Sequence, residues 1–252
     1  MAAPPASFAR VRIPKGSELL AQRVRAAILV GELPVGSQLP PEHELVRQFG
    51  VSRATVREGL RLLEADGLIE TRPGRGGGAT IRRPNAGAHT RSLALLLQLD
   101  GATLGALLEA RRVLKPVCGR LAAERVNPDE IAEMRAALIE MRLLMDDVEA
   151  YHRAGIRFHL LIAEATRNPV LAIYATSLAE LIYDQICQVP FTHDDLEAGV
   201  VSCERVLEAI ERGDGEAAER RLTRHLIGVE RAVDDRGWSE NRFTLELATS
   251  GP

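Results

Sequence analysis

Ser52, Arg53, Thr55 and Arg57 lie within six consecutive residues, and their chemistry suits contact with nucleic acid. An arginine can donate two hydrogen bonds to O6 and N7 of guanine, while small hydroxyls and the free amides at a helix start suit phosphate oxygens. Arg72 and Arg75 flank a glycine-rich tip (Gly74, Gly76, Gly77, Gly78) that could lie along a backbone or in a minor groove. A second group lies farther on. His159 shares a helical stripe with Ile162 and Thr166, Cys203 with Val200, Leu207 and Ile210, and His225 with Ala218, Leu222 and Val229. All three therefore point into a core, and imidazole and thiol together are good zinc ligands. The plain alternative is a cysteine acting as a small hydrophobe beside hydrogen-bonded histidines. Arg111 falls in the inward stripe of Leu104, Leu107, Leu108, Leu114 and Cys118, and a guanidinium facing a core needs an anionic partner. That partner is either a ligand carboxylate held by two parallel hydrogen bonds or an acid on a neighbouring helix.

The first group requires a helix that presents its opening turn. From Ser17, a plausible N-cap, to about Val30 the apolar positions Leu20, Val24, Ala27 and Ile28 recur at helical spacing, and Gly31 and Pro34 stop the run. A second helix begins near Pro41, with Glu42 and Glu44 at the positive end of its dipole, and runs to Phe49. Gly50 allows a sharp turn. A third helix follows Ser52, with Val56, Leu60 and Leu63 on one face and the polar group on the other; Gly67 ends it. Residues 68–72 and 79–81 then read as two short strands joined by the glycine-rich tip. A helix, a short turn and a second helix is the geometry that sets a recognition helix into a major groove, although helix pairs with scattered arginines are also common on solvated surfaces.

The second group requires helices that converge. Helical segments are expected at 91–99, 103–125, 128–146, 149–166, 169–188, 195–212 and 215–234, broken at Gly101, Asn127-Pro128, Asn168-Pro169, Pro190 and 213–215. Seven such segments make an antiparallel α-helical bundle. The chain is thus expected to be mainly α. Its parts are a mobile extension (1–14), a helix-turn-helix unit with a small β-hairpin wing (15–83), a linker (84–90), a helical domain (91–234) and a flexible tail (235–252).

Bulk properties agree with this division. Residues 1–84 carry 13 Lys and Arg against 8 Asp and Glu, which leaves 19 against 27 for the rest of the 252 residues. A basic front on an acidic body suggests that the front alone meets an anionic polymer. Three cysteines cannot build a disulfide framework, the N-terminus has no signal-peptide pattern, and the apolar run at 93–99 is far short of the ~20 residues that span a bilayer. A cytoplasmic protein without membrane attachment is expected.

Residues 17–82 resemble the DNA-binding domain of the GntR family. The stretches that carry the resemblance are 27–40, 42–45, 50–60 and 63–69, an ungapped match that includes Gly50-Val51-Ser52-Arg53-Ala54-Thr55-Val56-Arg57-Glu58-Gly59-Leu60. The resemblance implies a winged helix-turn-helix in which Arg53, Thr55 and Arg57 contact operator DNA. His43 stands where that family usually has a further DNA-contacting arginine. It also implies a homodimer on a palindromic double-stranded operator, because one winged helix rarely gives enough specificity.

Residues 91–232 are similar to the all-helical FCD-type ligand-binding domain of the FadR subfamily, on 108–114, 121–125, Phe158-His159, Asn168-Pro169, 207–210 and 225–226. That resemblance implies an anchoring arginine at Arg111, a pocket position at Asn168 that could equally be a helix cap, and a small carboxylate or acyl-type effector. It further implies a metal site at 155, 159, 203 and 225. Here Gly155 replaces the aspartate and Cys203 replaces a histidine, which leaves His159, Cys203 and His225 as candidate ligands for one zinc ion per chain. The usual acid one turn after Arg111 is replaced by Lys115. The expected function is a DNA-binding transcription regulator, a repressor whose operator affinity is set by an anionic metabolite. A metal-responsive regulator is the alternative. A zinc- or cysteine-dependent hydrolase is the rival outside this class, and the sequence has no HExxH, nucleophile elbow or P-loop to support it.

Overall fold

A computed structural model describes residues 15–72, 74, 78–83 and 86–244. The expected N-terminal extension, Arg75 at the wing tip and residues 245–252 of the expected tail lie outside them. The chain divides into two compact units, residues 1–88 and 89–252.

In the first unit, α1 (Gly16–Leu29) crosses α3 (Arg53–Ala65), with α2 (Glu42–Phe49) between them in sequence. The crossing is close. A Cβ added at Gly59 would lie 2.7 Å from Leu20 Cδ2 and 3.2 Å from the Ser17 carbonyl, so only glycine lets the two helices approach this far. That packing also buries Ser17 inside α1, and Lys15 rather than Ser17 is the N-cap, with the Glu18 carboxylate accepting from the Lys15 amide at 3.3 Å. Gly50 adopts φ 64°, the left-handed conformation that turns the chain sharply out of α2. Leu20, Val24, Leu45, Val56, Leu63 and Ile81 form the core.

Strands β1 (Ile69–Arg72) and β2 (Gly78–Ile81) pair antiparallel, with Ile69 opposite Ile81 and Arg72 opposite Gly78. A third segment, which carries no strand pattern in the sequence, covers the other edge of β2. The Ile81 amide donates to the Ser37 carbonyl at 2.8 Å and the Leu39 amide donates to the Ala79 carbonyl at 2.8 Å. This pairing satisfies edge groups that would otherwise be open.

Among the described residues the second unit contains α4 (Ala86–Leu99, whose first turn precedes the division), α5 (Leu104–Arg125), α6 (Pro128–Leu143), α7 (Val148–Ala165), α8 (Pro169–Ile186), α9 (His193–Glu211) and α10 (Gly215–Asp234). The seven helices expected from the sequence are the seven that form the bundle. Their starts are written in side chains: Asn127, Asp147, Asn168 and Asp214 each accept a backbone amide of the following turn, and Thr192 with Asp195 makes a reciprocal capping box. That box starts α9 two residues before the expected position. Phe158, Met134, Ile162, Ile210 and Leu222 are buried where α5, α6, α7, α9 and α10 meet.

Two expectations are corrected. The expected linker, 84–90, is helical from Ala86 onward. The expected free tail after Asp235 is pinned through residue 243: the Leu104 amide donates to the Asn241 carbonyl and the Gly105 amide to the Ser239 carbonyl, both at 2.9 Å, and the Phe243 amide donates to the Ala102 carbonyl at 2.7 Å. The first amides of α5 have no partner within their own helix, and the tail supplies one while burying Phe243.

Candidate functional site

The first candidate surface is the exposed start of α3. Ser52 is its N-cap: Oγ accepts from the Thr55 amide at 3.1 Å and lies 2.8 Å from Thr55 Oγ1. Arg53 occupies the first helical position and Arg57 lies one turn later, both exposed, while Val56, Leu60 and Leu63 are buried. The structure therefore exposes Ser52, Arg53 and Arg57 in the opening turns of α3, with Thr55 half-buried beside Ser52. Arg57 is not idle: its Nε donates to both carboxylate oxygens of Glu42 on α2, at 3.0 and 3.3 Å. His43, the next residue on α2, is exposed. On the wing, Arg72 Nε donates to Glu70 at 2.9 Å and Arg82 Nε donates to the same carboxylate at 2.8 Å. The bonds from Arg72 and Arg82 hold the Glu70 carboxyl below its usual range.

The second candidate site is a cavity of about 80 Å³ lined by α5 to α10. It contains Arg111 and Lys115 from α5, His159 from α7, Cys203 from α9 and His225 from α10. The inward stripes anticipated for these residues do converge. Asn168 is not among the residues that line the cavity; its side chain caps α8, accepting from the Val170 amide at 3.0 Å and the Leu171 amide at 3.4 Å. His152 and Tyr151, absent from the candidates drawn from the sequence, also line the cavity. His152 stands seven residues before His159, two helical turns along one face, and that spacing is the signal that could have found it.

The electrostatics of the cavity are unusual. Lys115 is only 3% exposed, and it makes no hydrogen bond or ion pair among the described residues. Burial and the neighbouring Arg111 push its ammonium well below the usual lysine range. Arg111 Nε is buried without a hydrogen-bond partner, and burial lowers its guanidinium to about 10. The acids nearby are already engaged: Asp195 pairs with Arg236, and Glu230 accepts two bonds from Arg112 Nε at 2.9 and 3.0 Å. Burial, aided by the two cations, keeps the imidazoles neutral. It lowers His225 to about 3 and, with Arg111, His152 to about 4; His159 is lowered by burial and then by Lys115 and Arg111. Burial raises the Cys203 thiol to about 12 despite the same cations.

His159, Cys203 and His225 are all buried, and they offer ligand atoms within 4.8 Å of one another, a set able to coordinate a metal. Ser202 Oγ lies 2.8 Å from the Gly199 carbonyl and shares a 2.7 Å hydrogen bond with His225 Nδ1, which orients the ring. His225 Nε2 lies within hydrogen-bond reach of the Cys203 thiol at 3.7 Å. Such orientation through the second nitrogen is typical of ligating histidines. Position 155 supplies nothing. A Cβ there would sit 3.2 Å from Met141 Cε, so methionine packs where the side chain of a fourth ligand would begin.

Residues 17–78 match the gntR family of bacterial regulatory proteins and residues 106–228 match the FCD domain. Full-length relatives match across both parts. An uncharacterised HTH-type transcriptional regulator of Mycobacterium tuberculosis is 32% identical over 83% of this chain and 86% of its own. The galactonate operon transcriptional repressor of Escherichia coli is 32% identical over 77% and 86%, and the HTH-type regulator LutR of Bacillus subtilis is 30% identical over 79% and 93%. The solved structure of a Streptococcus agalactiae GntR protein shares the fold, with a TM-score of 0.69 at 22% identity over 86% of this chain and 99% of that one. No helix among the described residues is long and apolar enough to cross a membrane. With both halves matched in order, the chain belongs to the GntR family of bacterial regulatory proteins, in its FadR-like, FCD-containing branch, and is a sequence-specific DNA-binding transcriptional regulator rather than an enzyme.

Proposed function

We propose that this regulator is a homodimeric repressor whose hold on a palindromic operator is released by a small carboxylate or acyl-type anion bound in the helical domain. Arg53 and Arg57 read base edges, Ser52 and Thr55 with the α3 amides meet phosphate, His43 adds a contact from α2, and Arg72 and Arg75 follow the backbone at the wing. Arg111 anchors the anion among His159, Cys203 and His225. Asn168 has only a capping role. A single observation carries the effector assignment: a half-buried arginine in the cavity lining whose buried Nε has no partner. An uncompensated buried charge is costly, and a carboxylate held by two parallel hydrogen bonds removes that cost. The effector acts by binding one geometry of the dimer better than the other, so operator affinity shifts by its differential binding energy. The repressor sign is supported by likeness to the galactonate operon transcriptional repressor of Escherichia coli.

The test is native mass spectrometry of gently purified protein, followed by operator binding with the retained molecule added back. A dimer carrying an organic acid that is lost in Arg111→Ala, with operator binding intact, is the expected result. Retention of the acid and of the response in Arg111→Ala would remove the arginine's role.

A second reading is favoured by the convergence of His159, Cys203 and His225, whose ligand atoms lie within 4.8 Å of one another. One zinc ion would be held by His159, Cys203 and His225, and as a Lewis acid it would attract the effector's carboxylate. Metal analysis of protein prepared without chelators should then find about one zinc per chain in the native protein and none in Cys203→Ala.

A further inference from the structure

We propose that the cavity is built for a small dicarboxylate, with one carboxylate met by Arg111 and the other by Lys115. The inference rests on the anionic-effector reading above and specifies the number of charges.

Arg111 and Lys115 are one helical turn apart on α5, so their Cβ atoms are separated by about 5–6 Å. Both enter the same cavity, and neither has a hydrogen bond or ion pair to a carboxylate among the described residues. Each acid close enough to serve is occupied: Asp195 at the cavity lining by Arg236, and Glu230 beyond it by Arg112. No compensating negative charge comes from the remaining polar groups. The Tyr151 hydroxyl donates to the Leu196 carbonyl at 2.8 Å, and the Cys203 thiol is buried beside neutral imidazoles. Arg111 has only Glu230 nearby, already bonded to Arg112, and Lys115 has no acidic partner among the described residues, so a ligand that brings two carboxylates supplies one anion for each basic group. A monocarboxylate would satisfy the arginine and leave the lysine buried without a partner. Zinc in the histidine–cysteine cluster would not change this count downward, because a divalent cation bound by one thiolate still adds positive charge. The spacing matters as well: two carboxylates joined by a two-carbon chain span roughly the distance between neighbouring turns. Unpartnered ring nitrogens at His152 Nε2 and His159 Nδ1 remain to hydrogen-bond carboxylate oxygens not taken by the cations.

The experiment measures binding of succinate and L-malate against butyrate and 3-hydroxybutyrate to full-length protein at matched ionic strength. The proteins compared are the native chain, Lys115→Met and Arg111→Ala. In the native chain each dicarboxylate should bind about tenfold or more tightly than its monocarboxylate counterpart, the scale of one charge-assisted hydrogen bond. In Lys115→Met that ratio should fall towards one, while Arg111→Ala should weaken both classes. Methionine nearly matches the length of lysine and removes a buried unpartnered charge, so the ligand-free variant should melt no lower than the native chain. Lys115→Gln, with operator binding as a check of folding, serves if it does not. The proposal is overturned if monocarboxylates bind as tightly as dicarboxylates, if the ratio survives in Lys115→Met, or if none of the four binds. In the first two cases the anion-sensing reading stands. It falls only if, in addition, gently purified protein retains no organic acid.

Discussion

The two halves handle their arginines in opposite ways. In the DNA-binding unit Arg57, Arg72 and Arg82 are exposed and lean on Glu42 and Glu70, acids of the same unit. Such surface pairs contribute little to stability and exchange readily for another anion. In the helical unit Lys115 is buried and Arg111 is half-buried with its Nε unpartnered, and neither forms an ion pair with an acid among the described residues. The first arrangement suits a partner that arrives as a polymer of phosphates and must be released. The second sets basic groups into an interior cavity, and on the proposed reading a small anion relieves their desolvation. The same residue type would then serve recognition in one unit and sensing in the other, and the difference lies in what surrounds the charge.

The largest effects should come from the exposed set. An arginine paired with guanine is worth about 1–3 kcal/mol. Arg53→Ala and Arg57→Ala should therefore each weaken specific operator binding by roughly tenfold to a hundredfold, with the melting temperature unchanged because both side chains are solvated. Fluorescence anisotropy with operator and scrambled duplexes reads this. Equal losses on both duplexes would assign these arginines to phosphate rather than to bases.

The buried set predicts a pH response that the exposed set does not share. His225 has a folded value of about 3 against 6.5 for an ordinary histidine, and His152 about 4. Between those limits the unfolded chain binds protons that the folded chain refuses, so stability rises with pH across the window and is fully present above 6.5. Acidification from pH 6.5 should cost up to about 1.4 kcal/mol per pH unit for His225 alone. Thermal melts of the helical unit between pH 7 and pH 5 should show a falling midpoint, and a flat profile would mean that these imidazoles are not held neutral.

How much of this is legible in the sequence follows from the same contrast. The α3 patch is local: Ser52 to Arg57 are neighbours in the chain, the cap and the apolar stripe share one helix, and the pattern reads directly. The seven helices are legible too, since Asn127, Asn168 and Asp214 mark three of their starts, whereas the starts of α4 and α9 fall earlier than the pattern indicates. The cavity is assembled from six helices, so the stripes show that His159, Cys203 and His225 face inward but not which acids Arg112 and Arg236 take. That allocation leaves Arg111 and Lys115 without partners, and it is a property of packing. The edge segment at 37–39 and the tail pinned over α5 escape the sequence for a related reason. Both are fixed by backbone hydrogen bonds between distant residues, and these leave no side-chain pattern to read.

Smaller effects separate roles that the sequence leaves joined. Asn168 is a candidate for both pocket and cap on sequence grounds, and its side chain is spent on the amides of Val170 and Leu171. Asn168→Ala should lower stability by about 1 kcal/mol, the usual worth of such a cap, while the concentration of anion needed to release operator stays the same. A shifted effector response at unchanged stability would return Asn168 to the pocket.

The smallest expected effect tests the lending of charge on the DNA surface. Glu42 accepts from Arg57 Nε through both carboxylate oxygens, so Arg57 must leave that pair, or share it, to reach a base. Glu42→Gln keeps an acceptor but removes the charge, and with it a negative group beside the phosphates. The pair is exposed, so breaking it should cost less than about 1 kcal/mol in stability. Operator affinity should rise by a few-fold at most, more at low salt than at high salt because exposed charges are screened. The gain should vanish in the double variant with Arg57→Ala. If Glu42→Gln instead weakens operator binding, the glutamate orients Arg57 for its contact rather than restraining it, and the exposed pair would then be part of the recognition surface rather than a store of charge lent to the operator.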